Sequence, residues 1–226
     1  MKKITVLAVC FMMLIAALTG CGNKTFDVSV YDNVLNEVKR TLALSEEAVA
    51  PEGMEGIFEF GQIYGDEALD LLGYKYQDVN GDNIPELLIG VSLNDAYPGV
   101  RNQIYLLYAV ADGKPQQILS SSARSSYSML SDGTFAYFSS AGAAYSIFGE
   151  FALTKENALD CTNYYFTHEV DGDFENIGVY HNSTGNFDVV SSNLTELSLE
   201  EFAELEEELL LRILPLEGIT PLRDFQ

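Results

Sequence analysis

Tyr76-Gln77-Asp78-Val79-Asn80-Gly81-Asp82-Asn83-Ile84-Pro85-Glu86-Leu87-Leu88-Ile89-Gly90 is the stretch whose reading decides the fold. Oxygen side chains fall at Asp78, Asn80, Asp82 and Glu86, and Ile84 offers its carbonyl between the last two. Counted from Asp78, these are positions one, three, five, seven (main chain) and nine. A tightly curled loop turns alternate residues inward, and a hard cation such as Ca²⁺ takes six to eight oxygens at about 2.3–2.6 Å. Gly81 and Asn83 help the curl, because both residue types tolerate positive φ. Zinc would call for His or Cys, and neither lies here.

The residues after the loop decide the class. An EF-hand needs Gly at position six and a bidentate Glu at position twelve. Those places hold Asn83 and Ile89. Pro85 removes a backbone donor, and Leu87-Leu88-Ile89 is a short apolar run ending at Gly90, which reads as a buried strand. The loop therefore joins two strands.

Strand, D-x-N-x-D-x-x-x-acid loop, strand: this arrangement resembles the calcium loop of FG-GAP and VCBS-type repeats, and a motif in secreted lipoproteins of Gram-positive gut bacteria. The resemblance implies that Asp78, Asn80, Asp82, the Ile84 carbonyl and Glu86 are Ca²⁺ ligands. Asn83 stands where such loops carry Gly, and Glu86 where FG-GAP repeats carry Asp. The motif occurs once, so no β-propeller is implied. The same residues also suit a polar hairpin without metal, since Asp, Asn and Gly are common turn formers.

Downstream, the pattern is one of short strands. Gln103–Val110 and Gln116–Ser120 flank Asp112-Gly113. Tyr127–Leu130 and Thr134–Ser139 flank Asp132-Gly133. Tyr145–Thr154 and Leu159–Thr167 form a further pair, and Ile177–Tyr180 and Phe187–Val190 come after Asp171-Gly172-Asp173. Asp-Gly turns at close spacing predict an antiparallel meander. The acidic run Asp171–Glu175 lacks alternating spacing and reads as a hairpin turn. Ser139–Ala144 is rich in small residues and reads as a flexible loop. Asn94–Val100 is a polar excursion.

Helical patterns lie at both ends. Val30, Val34, Val38 and Leu42 form an apolar stripe over about Ser29–Ala48, stopped at Ala50-Pro51-Glu52-Gly53. Gly56–Tyr64 fits a helix or a covering loop. Asp66 is placed to cap a short helix through Leu72, closed by Gly73. Ser198-Leu199-Glu200-Glu201 is a capping box, and Leu199, Phe202, Leu205 and Leu209 make the stripe of the helix it opens. Pro215 ends that helix, and the tail packs through Ile219, Leu222 and Phe225. The fold class expected is α+β, an antiparallel β-meander of six to nine strands packed by N-terminal and C-terminal helices, as one domain over 29–226.

The first residues read as an export signal. Lys2 and Lys3 precede an apolar run from Ile4 to Leu18, too short to span a bilayer as a helix. Leu18-Thr19-Gly20-Cys21 resembles the lipobox of bacterial lipoproteins. That implies cleavage of residues 1–20, lipidation of Cys21, a tether to about residue 28, and anchoring on the extracytoplasmic face of a bacterial membrane. The formal charge is −22, becoming −24 without Lys2 and Lys3. Such acidity opposes nucleic-acid binding and repels anionic headgroups, so the lipid would do the anchoring. Cys10 leaves with the signal and Cys21 carries lipid, which leaves Cys161 without a disulfide partner and suited to a small buried role.

Enzyme signatures are missing. His168 and His181 are the only histidines. They have no i,i+4 spacing, and there is no H-E-x-x-H, G-x-S-x-G or phosphate-binding glycine motif. The reading favoured is a non-enzymatic binding or interaction module for an envelope or extracellular ligand. The alternative is an envelope hydrolase or its accessory subunit, which would need His168 or His181 beside an acid.

Overall fold

The computed structural model describes residues 26–91 and 102–226. The signal peptide, Cys21, most of the tether and the Asn94–Val100 excursion lie outside them. The central stretch forms a hairpin. Strand β1 (Leu72–Gln77) enters the loop and β2 (Glu86–Val91) leaves it, paired antiparallel from Gln77↔Glu86 to Leu72↔Val91. All six residues of β2 are buried, as the apolar run predicts. Leu87, Ile89 and Val91 enter one core, and Leu88 enters another on the opposite face.

The remaining strands are β3 (Gln103–Ala111), β4 (Lys114–Ser120), β5 (Ser125–Met129), β6 (Phe135–Gly142), β7 (Tyr145–Leu153), β8 (Leu159–Val170), β9 (Asp173–Asn182), β10 (Asn193–Leu194) and β11 (Thr220–Pro221). They form one antiparallel sheet in the order β10-β9-β8-β7-β6-β5-β3-β2-β1-β11, with β4 also paired to β3. Asp112-Gly113 and Asp171-Gly172 both adopt positive φ (51° and 73°, 55° and 77°). That is the geometry of tight hairpins whose twist matches the strands they join. The fold is α+β with an antiparallel meander, as the sequence predicts, but with eleven strands among the described residues where six to nine are expected.

Each face of the sheet has its own cover. Leu88, Ile104, Leu107 and Leu119 from β2–β4 share a core with Phe135, Phe151, Tyr164 and Phe166 from β6–β8. The sheet therefore curls until one face packs on itself. Helices α1 (Asp32–Leu42) and α2 (Glu55–Tyr64) cover the outer face of β1–β3. Helix α3 (Leu199–Leu211) covers the outer face of β6, β7 and β9 through Phe202 and Leu209. Its capping box is formed: the Ser198 hydroxyl accepts the Glu201 N–H (3.2 Å), and the Glu201 carboxylate accepts the Ser198 N–H (2.8 Å).

Several expectations are corrected. The N-terminal helix is shorter than Ser29–Ala48, with a 3-10 turn over Val28–Tyr31 and its end at Leu42. There α2 crosses so closely that a Cβ on Gly61 would meet the Leu42 backbone. Gly56–Tyr64 is helical, from Glu55. Gly73 closes no helix. It lies in β1, where a Cβ would run into Ile219 and the Thr220 carbonyl. Phe187–Val190 is not a strand. Asp188 accepts the N–H groups of Val190 and Ser191, which holds this segment in a turn ahead of β10. Ser139–Gly142 belongs to β6 rather than to a loop. Leu199 is half-exposed, outside the stripe assigned to it.

Candidate metal centre

The loop between β1 and β2 curls as its residue types dictate. Gly81 (φ 73°) and Asn83 (φ 70°) are both left-handed. Asp78 spans the curl, with one oxygen accepting the Gly81 N–H (2.8 Å) and the other the Asn83 N–H (3.0 Å). Asn80 Oδ1 accepts the Asp82 N–H (3.0 Å), and Asp82 Oδ1 accepts the Ile84 N–H (2.7 Å). Glu86 Oε2 reaches back to the Val79 N–H at 2.7 Å. The side chains of Asp78, Asn80, Asp82 and Glu86 thus form one knot of oxygens bonded to the loop's own N–H groups.

Electrostatics bear on whether a cation fits. Glu86 is 1 % exposed. Burial pushes its carboxyl up to about 6, the charges of Asp82 and Asp78 push the same way, and the Val79 N–H opposes them. A carboxyl without a cation pays in desolvation and like-charge repulsion, both of which an ion in the knot would relieve. Each carboxylate or amide oxygen that accepts one N–H retains a second lone pair. The donor set is all oxygen, which suits Ca²⁺. Among the described residues, no three His, Cys, Asp or Glu side chains already converge as a metal-holding group. A site here would draw on the Asn80 amide and the Ile84 carbonyl as well as the acids.

The loop is tied to both halves of the molecule. Tyr31, fully buried, donates its hydroxyl to the Pro85 carbonyl (2.9 Å), and its ring stacks on Tyr76 at 5.9 Å. On the other side, Asn80 Nδ2 donates to the Thr154 carbonyl (3.2 Å) and to Asn157 Oδ1 (3.1 Å) in the β7–β8 turn. Asn157 Nδ2 in turn donates to the Val110 carbonyl (3.0 Å). Tyr31, Thr154 and Asn157 carry no motif, and the sequence reading misses them. An Asn inside Lys155-Glu156-Asn157-Ala158 signals a turn, but nothing local signals its partner.

Elsewhere, His168 Nδ1 lies 3.1 Å from Glu169 Oε2, and its ring stacks on Tyr145 at 5.0 Å. His181 packs on Tyr165 at 4.5 Å. Its Nε2 is buried without a hydrogen-bond partner among the described residues. Burial pushes the half-buried Cys161 thiol up to about 11, which keeps it protonated at neutral pH. No helix among the described residues is long and apolar enough to cross a membrane.

No protein-family model, curated protein or solved structure matches this chain.

Proposed function

We propose that this chain is a lipid-anchored binding or interaction module on the extracytoplasmic face of a bacterial membrane, non-enzymatic, with a structural Ca²⁺. The ligands are Asp78, Asn80, Asp82, the Ile84 carbonyl and Glu86, and the anchor is Cys21. The observation that carries the metal is the buried Glu86 carboxyl, set against Asp82 and Asp78 within a loop of oxygen side chains. The lipobox spacing carries the anchor. Extracellular modules hold Ca²⁺ with Kd of about 10⁻⁴–10⁻³ M. Such a site would fix the loop that joins β1 to β2 and would leave the surfaces around it to a ligand of the envelope or its surroundings.

Calorimetric titration of Ca²⁺ into the chain tests this. One binding event in that range, lost in Asp82→Ala, supports the reading. Absence of binding at millimolar Ca²⁺ contradicts it. For the anchor, metabolic labelling with a radioactive fatty acid should mark the wild type and not Cys21→Ala.

The closeness of His168 to Glu169 favours one second reading, an envelope hydrolase or its accessory subunit, because that reading needs a histidine beside an acid, although the Nδ1 hydrogen-bond contact is to the Glu169 carbonyl (3.3 Å) rather than to its carboxylate. Hydrolysis of cell-wall material that vanishes in His168→Ala would displace the non-enzymatic reading.

A further inference from the structure

We infer that Asn157 is a positioning residue for the calcium loop: with the Thr154 carbonyl it holds the Asn80 amide so that its oxygen faces the ion, and this is why position 80 is an amide rather than a carboxylate. The inference rests on the calcium reading above and extends it to a hairpin far away in sequence.

Backbone atoms decide the orientation of both amides. A backbone N–H can only donate and a backbone carbonyl can only accept. The Asp82 N–H faces one end of the Asn80 amide at 3.0 Å, so that end is oxygen. The Thr154 carbonyl faces the other end at 3.2 Å, so that end is nitrogen. The Val110 carbonyl likewise fixes Nδ2 of Asn157, which leaves Asn157 Oδ1 to accept from Asn80 at 3.1 Å. Neither amide can flip without placing acceptor against acceptor or donor against donor. The two shorter acceptors of Asn80 Nδ2, the Thr154 carbonyl and Asn157 Oδ1, lie outside the loop, a third and longer contact runs to Asp82 Oδ2 within it (3.5 Å), and Oδ1 keeps one lone pair for the ion.

The hairpin that supplies these acceptors is held in place by its own bonds. The Asn157 N–H returns to the Thr154 carbonyl (3.0 Å), the Thr154 N–H donates to the Ala158 carbonyl (2.8 Å), and the Ala158 N–H donates to the Thr154 hydroxyl (3.2 Å). Asn157 itself is left-handed, with φ 62°. A ligand amide held from behind by fixed groups loses little freedom when the ion binds. Partners of this kind are worth about tenfold or more in metal affinity.

The arrangement makes a counterintuitive prediction. A carboxylate at position 80 adds ligand charge, which in an isolated loop strengthens Ca²⁺ binding. Here its second oxygen would face the Thr154 carbonyl and Asn157 Oδ1 with no hydrogen to offer either. Asn80→Asp should therefore bind Ca²⁺ more weakly than the wild type.

The test titrates Ca²⁺ into the full chain in detergent for wild type, Asn157→Gly, Asn80→Ala and Asn80→Asp. Gly keeps the left-handed φ and removes only the amide. Terbium luminescence lifetimes in H₂O and D₂O count the waters on the ion, and melting in chelator reads the fold separately. The expected result is a loss of about tenfold in affinity for Asn157→Gly, with one more water on Tb³⁺, as in Asn80→Ala. Asn80→Asp also weakens. Wild-type affinity and hydration in Asn157→Gly, or tighter binding in Asn80→Asp, overturns the inference while leaving the calcium site standing. Failure of the wild type to bind Ca²⁺ or Tb³⁺ overturns the calcium reading and the inference with it.

Discussion

Glu86 and Val79 close the central loop on itself: a carboxylate oxygen that is almost wholly buried accepts the Val79 N–H at 2.7 Å. The same bond draws the Glu86 charge in among those of Asp78 and Asp82. The loop is ordered by hydrogen bonds that leave the Glu86 carboxyl buried, with the charges of Asp82 and Asp78 adding to the cost of ionising it.

The first prediction is a pH dependence. Burial, reinforced by Asp82 and Asp78, raises the Glu86 carboxyl from 4.5 to about 6. Without metal, the folded chain holds the protonated form more firmly than the unfolded chain does. The stabilising contribution is complete below the unfolded value and is lost as pH rises through the folded one. The loss is on the order of 2 kcal/mol. In chelator, denaturant unfolding should show stability falling across this window in wild type and not in Glu86→Gln. Above it, the Gln variant should be the more stable chain in chelator and the less stable one in Ca²⁺. Wild-type stability that stays flat across the window would count against this account of Glu86.

A second prediction concerns the buried tie between the N-terminal turn and the loop. Tyr31→Phe removes only the hydroxyl that donates to the Pro85 carbonyl. Loss of one such bond, with the carbonyl left unpaired, costs about 1–2 kcal/mol. Urea unfolding should register it, with the slope unchanged. A variant as stable as the wild type would show that water replaces the hydroxyl.

The C-terminal helix separates apolar packing from surface charge. Leu209, 4 % exposed, packs on the outer face of the sheet. Arg212, one turn on, pairs with Asp132 and Glu150 at 2.8 Å each but is more than a third exposed. Leu209→Ala should cost about 2–4 kcal/mol, and Arg212→Ala about 1 kcal/mol or less. Equal losses would mean that the ion pairs, rather than the packing, hold α3 to the sheet.

Gly73 makes a fourth case. A side chain there meets Ile219 and Thr220 of the C-terminal strand. Gly73→Val should release the tail from β1 and expose it to limited proteolysis, leaving the rest of the domain folded. Resistance of the tail equal to that of the wild type would refute the close approach.

The sheet was legible because its turns announce themselves. Asp112-Gly113 and Asp171-Gly172 fix hairpins locally, and Leu87-Leu88-Ile89 is apolar on both faces because β2 is covered on both. Gly81 and Asn83 were readable as curl residues for the same local reason. Gly73 and Phe187 were misjudged because their roles depend on distant partners: β11 for the first, and the aromatic group of Phe166 and Tyr145 for the second. The loop oxygens are local and could be named from spacing. The groups that orient them, Tyr31, Thr154 and Asn157, reach the loop only through the tertiary fold.

The measurement that bears most directly on the calcium loop is thermal unfolding of residues 22–226 in Ca²⁺ and in chelator, for wild type and for Asp78→Ala/Asp82→Ala. At about 1 mM Ca²⁺ and a Kd of about 10⁻⁴ M, linkage contributes roughly 1.4 kcal/mol. For a chain of this size that raises the melting temperature by about 3–5 °C. The account predicts this rise in wild type and none in the double variant. Identical melting with and without Ca²⁺ in the wild type would contradict it and leave the loop as a polar hairpin.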